Sequence, residues 1–127
     1  MIFRAHSPKD YKDEATMENL FDVPETVRLQ GSQESFDSLL HGRGGLLVER
    51  IVSYGHTTPE GEWYDQERDE WVTVLEGEAK LGYEDGREVT LGKGDHAFLP
   101  RRAKHRVIYT SSPCIWLAVH GELTQGT

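Results

Sequence analysis

Residues 71–95 read WVTVLEGEAKLGYEDGREVTLGKGD, and this stretch has the grammar of short strands joined by tight turns. Trp71 to Leu75 is a β-branched and aromatic run bounded by Gly77. Ala79 to Tyr83 leads into Glu84-Asp85-Gly86-Arg87. Asp-Gly there predicts a hairpin, because the primed turns that match strand twist need positive φ. Glu88 to Leu91 then reaches Gly92-Lys93-Gly94-Asp95, a second tight turn. The same pattern extends outward in both directions. Upstream, Leu46 to Val52 is β-rich and ends in a glycine-bearing loop over 53–61; downstream lie Ala97 to Leu99, Arg106 to Tyr109 and Ile115 to Val119. Ser111-Ser112-Pro113 turns the chain between the last two. Short strands at this spacing describe an antiparallel sandwich or barrel, and nothing among them resembles the crossover helix of a parallel sheet.

The N-terminal third reads differently. Residues 1–16 are polar and lack apolar periodicity, so they are expected to form a poorly ordered extension ahead of a domain over 17–127. Met17 to Pro24 reads as a natural start. A short helix is expected next, capped by Ser32, with Phe36, Leu39 and Leu40 at helical spacing and Gly42 as its stop.

Bulk properties exclude several classes. The chain has 127 residues, 36% of them hydrophobic and 28% charged, which suits one globular domain. Its formal net charge of −8 argues against nucleic-acid binding, which needs concentrated positive charge. Acidic residues crowd 60–70, while Arg101, Arg102, Lys104 and Arg106 surround His105; such runs read first as solvated rims. The longest apolar stretches, such as Ile115 to Val119, fall far short of a membrane span. Cys114 is the single cysteine, so an intramolecular disulfide is impossible, and the N-terminus lacks the apolar core of a secretory signal. Both point to a cytoplasmic location.

Two spacings carry a resemblance. Six residues separate Glu70 from Gly77, and five separate Gly94 from Pro100, with His105 following. The pattern resembles the cupins, whose two motifs end and begin in this way. The resemblance implies an all-β, double-stranded β-helix, a jelly-roll-like antiparallel barrel with a short N-terminal helix or arm. It also implies a metal held by three histidines and one glutamate. This chain departs from that set: Tyr64 and Gln66, or Trp63 and Asp65 for another loop length, stand where the first-motif histidines belong. Arg102 replaces a motif glycine and Tyr109 a motif asparagine, so Glu70 and His105 alone map directly onto ligand positions. Asn19 to Phe21, Glu49 to Ser53, Trp63 to Gln66 and Trp116 to His120 look like segments of a group of small bacterial cupins with no clear assigned reaction.

Two readings of the site follow. In the first, Gln66, Glu70 and His105 hold a divalent metal with help from Asp65 or Tyr64. An oxygen-rich set suits manganese or ferrous iron, with zinc or nickel also open. Glu70 or Asp65 would carry the proton in an isomerase, epimerase or lyase acting on a sugar or small organic acid. A ferrous dioxygenase would need a second histidine from His56, His96 or His120, none at a cupin ligand position, which disfavours it. Trp63, Tyr64 and Tyr109 would wall the substrate pocket, and Trp71 and Trp116 belong to the core. In the second reading there is no metal, Glu70 and His105 are a hydrogen-bonded pair, and the barrel binds a small ligand or serves as a structural dimer. Strand period places Glu70 with Val72 and Val74, and His105 with Val107 and Tyr109, facing one interior. Open sheet edges lead us to expect a homodimer.

Overall fold

The computed structural model describes residues 17–24 and 33–126. Among them the chain forms strands β1 (Ser35–His41), β2 (Leu47–Ser53), β3 (Asp69–Glu76), β4 (Ala79–Tyr83), β5 (Glu88–Leu91), β6 (His96–Leu99), β7 (His105–Thr110) and β8 (Cys114–Gly121). A five-stranded sheet runs β1-β2-β8-β3-β6 and faces a three-stranded sheet β5-β4-β7. Every pairing within them is antiparallel. No helix among the described residues is long and apolar enough to cross a membrane.

The expected turns are present. Gly86 takes φ +92, and the Gly86 amide donates to the Tyr83 carbonyl, closing the β4–β5 hairpin. At the second turn Asp95 accepts from the Gly92 amide through its side chain, while Gly94 takes φ +86. The segment expected as a helix is instead strand β1. Leu39 is an extra residue there, since Ser38 pairs with Glu49 and Leu40 with Val48. A one-residue bulge places Phe36, Leu39 and Leu40 at the offsets of a helical turn, and pairing with β2 decides the matter. Ser32 and residues 1–16 lie outside the described residues.

Apolar side chains of the two sheets meet in a core built from Val72, Val74, Leu81, Leu91, Leu99, Trp116 and Ala118. On the outer side, Arg50 of β2 fastens the N-terminal segment. Its Nη1 donates to the carbonyls of Leu20 (3.1 Å) and Asp22 (2.9 Å), and its Nε and Nη2 donate to Asp37 Oδ2 (3.1 and 2.7 Å). Five strands facing three leave strand β1 thinly covered, and Phe36 and Leu40 are exposed.

Candidate functional site

Two rows of cross-strand neighbours define the inner surface of the larger sheet. Phe36, Ile51, Trp116 and Val74 form one; Leu47, His120, Glu70 and Leu99 form the other. Each pair of rows is four residues apart along its strands, so the side chains share a face. The segment between β2 and β3 supplies a further wall by running along β7. The Tyr64 amide donates to the His105 carbonyl (2.8 Å), the His105 amide to the Tyr64 carbonyl (3.2 Å), and the Thr58 amide to the Val107 carbonyl (2.8 Å). Extended geometry there turns alternate residues inward. Tyr64 and Gln66 face in, while Trp63 lies under the Arg106 guanidinium and Asp65 pairs with Arg102 (3.3 Å).

The result is a cavity of about 90 Å³. Glu70, His105, Gln66 and Tyr64 line it together, joined by Glu34, Glu49 and His120, against an apolar wall that includes Phe36, Ile51 and Trp116. Trp63, Asp65 and Tyr109 do not line it. Tyr109 was expected to follow His105 and Val107 inward, but it is 45% exposed. Lys80 pairs with Tyr109 and Leu81 with Val107, so Ile108 is an extra residue in β7. That bulge reverses the alternation beyond Val107.

The donors are held in defined orientations. His105 Nδ1 lies 2.9 Å from the Ala103 carbonyl. A carbonyl only accepts, so Nδ1 carries a proton and Nε2 faces the cavity. That Nε2 stands 3.9 Å from Glu70 Oε1, and the Tyr64 ring stacks on the imidazole at 5.5 Å. The Glu70–His105 pair is therefore not hydrogen-bonded, contrary to the metal-free expectation. On the other side of the carboxylate, His120 Nε2 stands 3.9 Å from Glu70 Oε2 and 2.9 Å from Glu49 Oε1. The Glu70 side chain is 10% exposed and takes part in no hydrogen bond among the described residues. Burial pushes its carboxyl above the usual carboxylate range, against the pull of His120 and His105. Burial, then the carboxylates of Glu34 and Glu70, likewise push the Tyr64 phenol up, so it stays neutral. Glu34 accepts from the Ser53 hydroxyl, which accepts in turn from Trp116 Nε1 (3.2 Å). Among the described residues, no three His, Cys, Asp or Glu side chains form a group placed to hold a metal ion.

Glu34 and Glu49 were not singled out from the sequence, and His120 was named only as a histidine away from any cupin ligand position. It is hydrogen-bonded, to Glu49, and it also lines the cavity. The available signal was period two: Trp116, Ala118 and His120 alternate on β8, as Glu49, Ile51 and Ser53 do on β2.

Two antiparallel sheets closing around a polar cavity, with a glutamate and a histidine facing each other across it, define a double-stranded β-helix with an internal site. The sequence profile of the cupin domain matches residues 51–120, and the chain belongs to the cupin family. A solved Ralstonia eutropha protein, provisionally named a mannose-6-phosphate isomerase, is 38% identical, with a TM-score of 0.77 over 86% of this chain and 100% of that one. A Desulfitobacterium hafniense cupin-superfamily protein is 14% identical, TM-score 0.62, over 72% and 79% of the two chains. A Rhizobium leguminosarum protein of unknown function is 17% identical, TM-score 0.64, over 87% and 99%. The last two show likeness of fold alone. No curated protein matches the chain.

Proposed function

We propose that the barrel cavity is a divalent-metal site anchored by Glu70 and His105, acting on a sugar or small hydroxy acid by isomerisation or epimerisation. The observation that carries this reading is Glu70 itself, a buried carboxylate with no hydrogen bond among the described residues, facing the Nε2 of an imidazole whose Nδ1 is tied to a backbone carbonyl. Such a carboxylate is costly unless a cation or donor meets it. The donor set fits a divalent ion: a carboxylate, an imidazole, and oxygens from Gln66 and Tyr64, a mixture suited to manganese or ferrous iron. When bound, the metal supplies Lewis-acid polarisation of a substrate carbonyl or hydroxyl. The neutral Tyr64 phenol is placed to donate to a substrate oxygen, and Ile51 and Trp116 give the cavity an apolar wall. Asp65, turned onto Arg102, has no part in this reading.

Among the described residues the lining contains three glutamates and neither lysine nor arginine. A substrate carboxylate or phosphate would therefore depend on the metal for its counter-charge, whereas an uncharged sugar would not. The name of the Ralstonia relative is that of a sugar-phosphate isomerase, which supports a sugar skeleton, with any phosphate looking to the metal for its counter-charge. A metal-free binding site is the second reading, favoured by Tyr64 and Gln66 standing at the family's histidine positions.

Elemental analysis and Mn²⁺ calorimetry test the proposal. The wild-type protein is expected to bind one ion per chain, and Glu70→Gln and His105→Ala to weaken it about 100-fold or more. Folding of Glu70→Gln is checked by its melting curve. Below the unfolded carboxyl pKa both states are protonated and burial carries no ionic cost; above the raised folded pKa that cost is complete. Metal-free Glu70→Gln is thus expected to melt a few degrees higher than wild type at pH 8, with the gap closing as pH falls. A wild-type protein that takes up no divalent ion would overturn the metal reading.

The same reading takes the protein to be a cytoplasmic homodimer acting on a small molecule. A reducing compartment suits its single thiol, Cys114, which is buried. Support for the dimer comes from edge strand β1, where Phe36, Leu39 and Leu40 are 56%, 41% and 64% exposed. Light scattering is expected to give the dimer mass at micromolar concentration, and Leu40→Lys to shift it toward monomer. A monomer mass for the wild type would count against it.

A further inference from the structure

We infer that Glu34 and Tyr64 form a hydroxyl-reading pair at the end of the cavity away from Glu70, and that the guest they select is a neutral sugar or polyol rather than a hydroxy acid. The inference rests on the small-molecule part of the reading above and names its ligand class; it does not depend on the metal. Glu34 immediately precedes β1. Ser35 pairs with Val52, and one step back that register sets Glu34 beside Ser53. Ser53 is fully buried, and its hydroxyl is committed on both sides. It accepts from Trp116 Nε1 (3.2 Å) and donates to Glu34 Oε2. This relay fixes the carboxylate in place. The other oxygen, Oε1, takes no hydrogen bond among the described residues, and Glu34 lines the cavity.

Register separates this end from Glu70. Along β8, Cys114 lies beside Ser53 and His120 beside Glu70, with Trp116 between them. The cavity thus has a carboxylate toward each end and the apolar faces of Trp116 and Ile51 in its middle. Glu70, its side chain only 10% exposed and without a hydrogen bond among the described residues, marks the space as one built to receive a guest. Tyr64 supplies the second half of the pair. Its phenol lines the same space, close enough to Glu34 for that carboxylate to add to the upward push of burial, so it keeps its proton. A carboxylate oxygen that accepts, beside a phenol that donates, suits a group that donates and accepts at once. A hydroxyl does both. A guest carboxylate has no proton for Glu34 and is repelled by it, and an ammonium has no lone pair for Tyr64. The C–H face of a sugar or polyol then lies against Trp116 and Ile51, where a charged group would lose its water without replacement.

The test uses protein freed of metal by chelation, so that no added cation draws an acid into the cavity. The probes are pairs of equal chain length, erythritol with erythronate and glucitol with gluconate, together with the common aldohexoses. NMR titration of the wild type should shift the signals of Glu34, Tyr64 and Trp116 with at least one neutral probe. The neutral member of a pair should bind about 10-fold more tightly than its acid. Glu34→Gln keeps an oxygen for Ser53 but turns an amide donor toward the cavity. Affinity for the neutral probes should then fall about 10-fold, and the preference over the acids should vanish. Ser53→Ala is the structural control: it cuts the tie to β1 yet keeps the charge, so melting should fall with the preference retained. A Glu34→Gln protein that melts lower but keeps the wild-type preference makes Glu34 a strand tie and overturns the inference. So does a wild type that binds the acids more tightly, or that binds no neutral probe. Because the preference is read first on the wild type, a variant that folds poorly does not spare the inference. Glu34→Gln should take up Mn²⁺ within about threefold of wild type, the two ends being separate. A wild type that takes up no Mn²⁺ but prefers the neutral probes loses the metal reading and keeps this one.

Discussion

Gly77→Ala is expected to lower the melting temperature by about 10 °C or more, a cost of roughly 3–5 kcal/mol. Gly77 follows β3 at φ +88, where an L side chain is strained. The added methyl would also collide with its surroundings, lying 2.3 Å from Ser111 Oγ, 2.6 Å from the Pro113 carbonyl oxygen and 3.1 Å from Cys114 Cα. Two of these neighbours are backbone. The third is locked in place, since Ser111 Oγ accepts from the Glu78 amide (2.9 Å) and donates to the Pro113 carbonyl (2.9 Å). Relief therefore requires the β3–β4 turn to part from the start of β8. Gly86→Ala is the control: it carries φ +92 but meets nothing within 4 Å. Its cost should be about 1 kcal/mol, that of the left-handed conformation alone. Equal melting points for the two variants would show that the close approach at Gly77 is not what makes glycine necessary there.

Arg50→Ala is expected to cost about 2–4 kcal/mol and to expose the N-terminal segment to protease. The guanidinium makes four hydrogen bonds, two to Asp37 and one each to the Leu20 and Asp22 carbonyls. Asp37 is 40% exposed, so solvent already screens that ion pair and it accounts for the smaller share. The larger share is the loss of the two carbonyl bonds and of the packing of a side chain only 10% exposed. Arg50→Lys should recover little, because one ammonium cannot span three acceptors in this fork geometry. Limited proteolysis followed by mass spectrometry should find cleavage near residues 17–24 much sooner in Arg50→Ala than in wild type. Unchanged melting and unchanged cleavage would mean that Arg50 holds nothing in place.

How much of this was legible in the sequence depended on whether the signal was local. The Asp85-Gly86 hairpin and the Gly92–Asp95 turn were readable because turn chemistry is written in adjacent residues. Strand β1 was misread, and Tyr109 placed in the interior, for one shared reason. A bulge inserts a single residue and shifts the period, at Leu39 in the first case and Ile108 in the second, and no side chain announces it. Glu70 and His105 could be named from motif spacing. Glu49 and His120 could not, because their place at the cavity follows from the register of β2, β8 and β3, and register is a relation between distant segments.

The walls of the cavity differ in how they are tied down. Glu70, His120 and Glu49 stand on β3, β8 and β2, three neighbouring strands with bonds on both edges, in the interior of the larger sheet. Tyr64 and Gln66 stand on a connecting segment tied to β7 by scattered backbone and side-chain bonds at His56, Thr58 and Tyr64 rather than by a continuous ladder. Local opening free energies follow such differences, low for loosely bonded segments and close to the global value for central strands. Breathing that admits a guest to the cavity therefore runs through the 54–68 segment and leaves the acidic half undisturbed. Substitutions in that segment would alter the rate of exchange between cavity and solvent, while those on β3 and β8 would alter what the cavity holds.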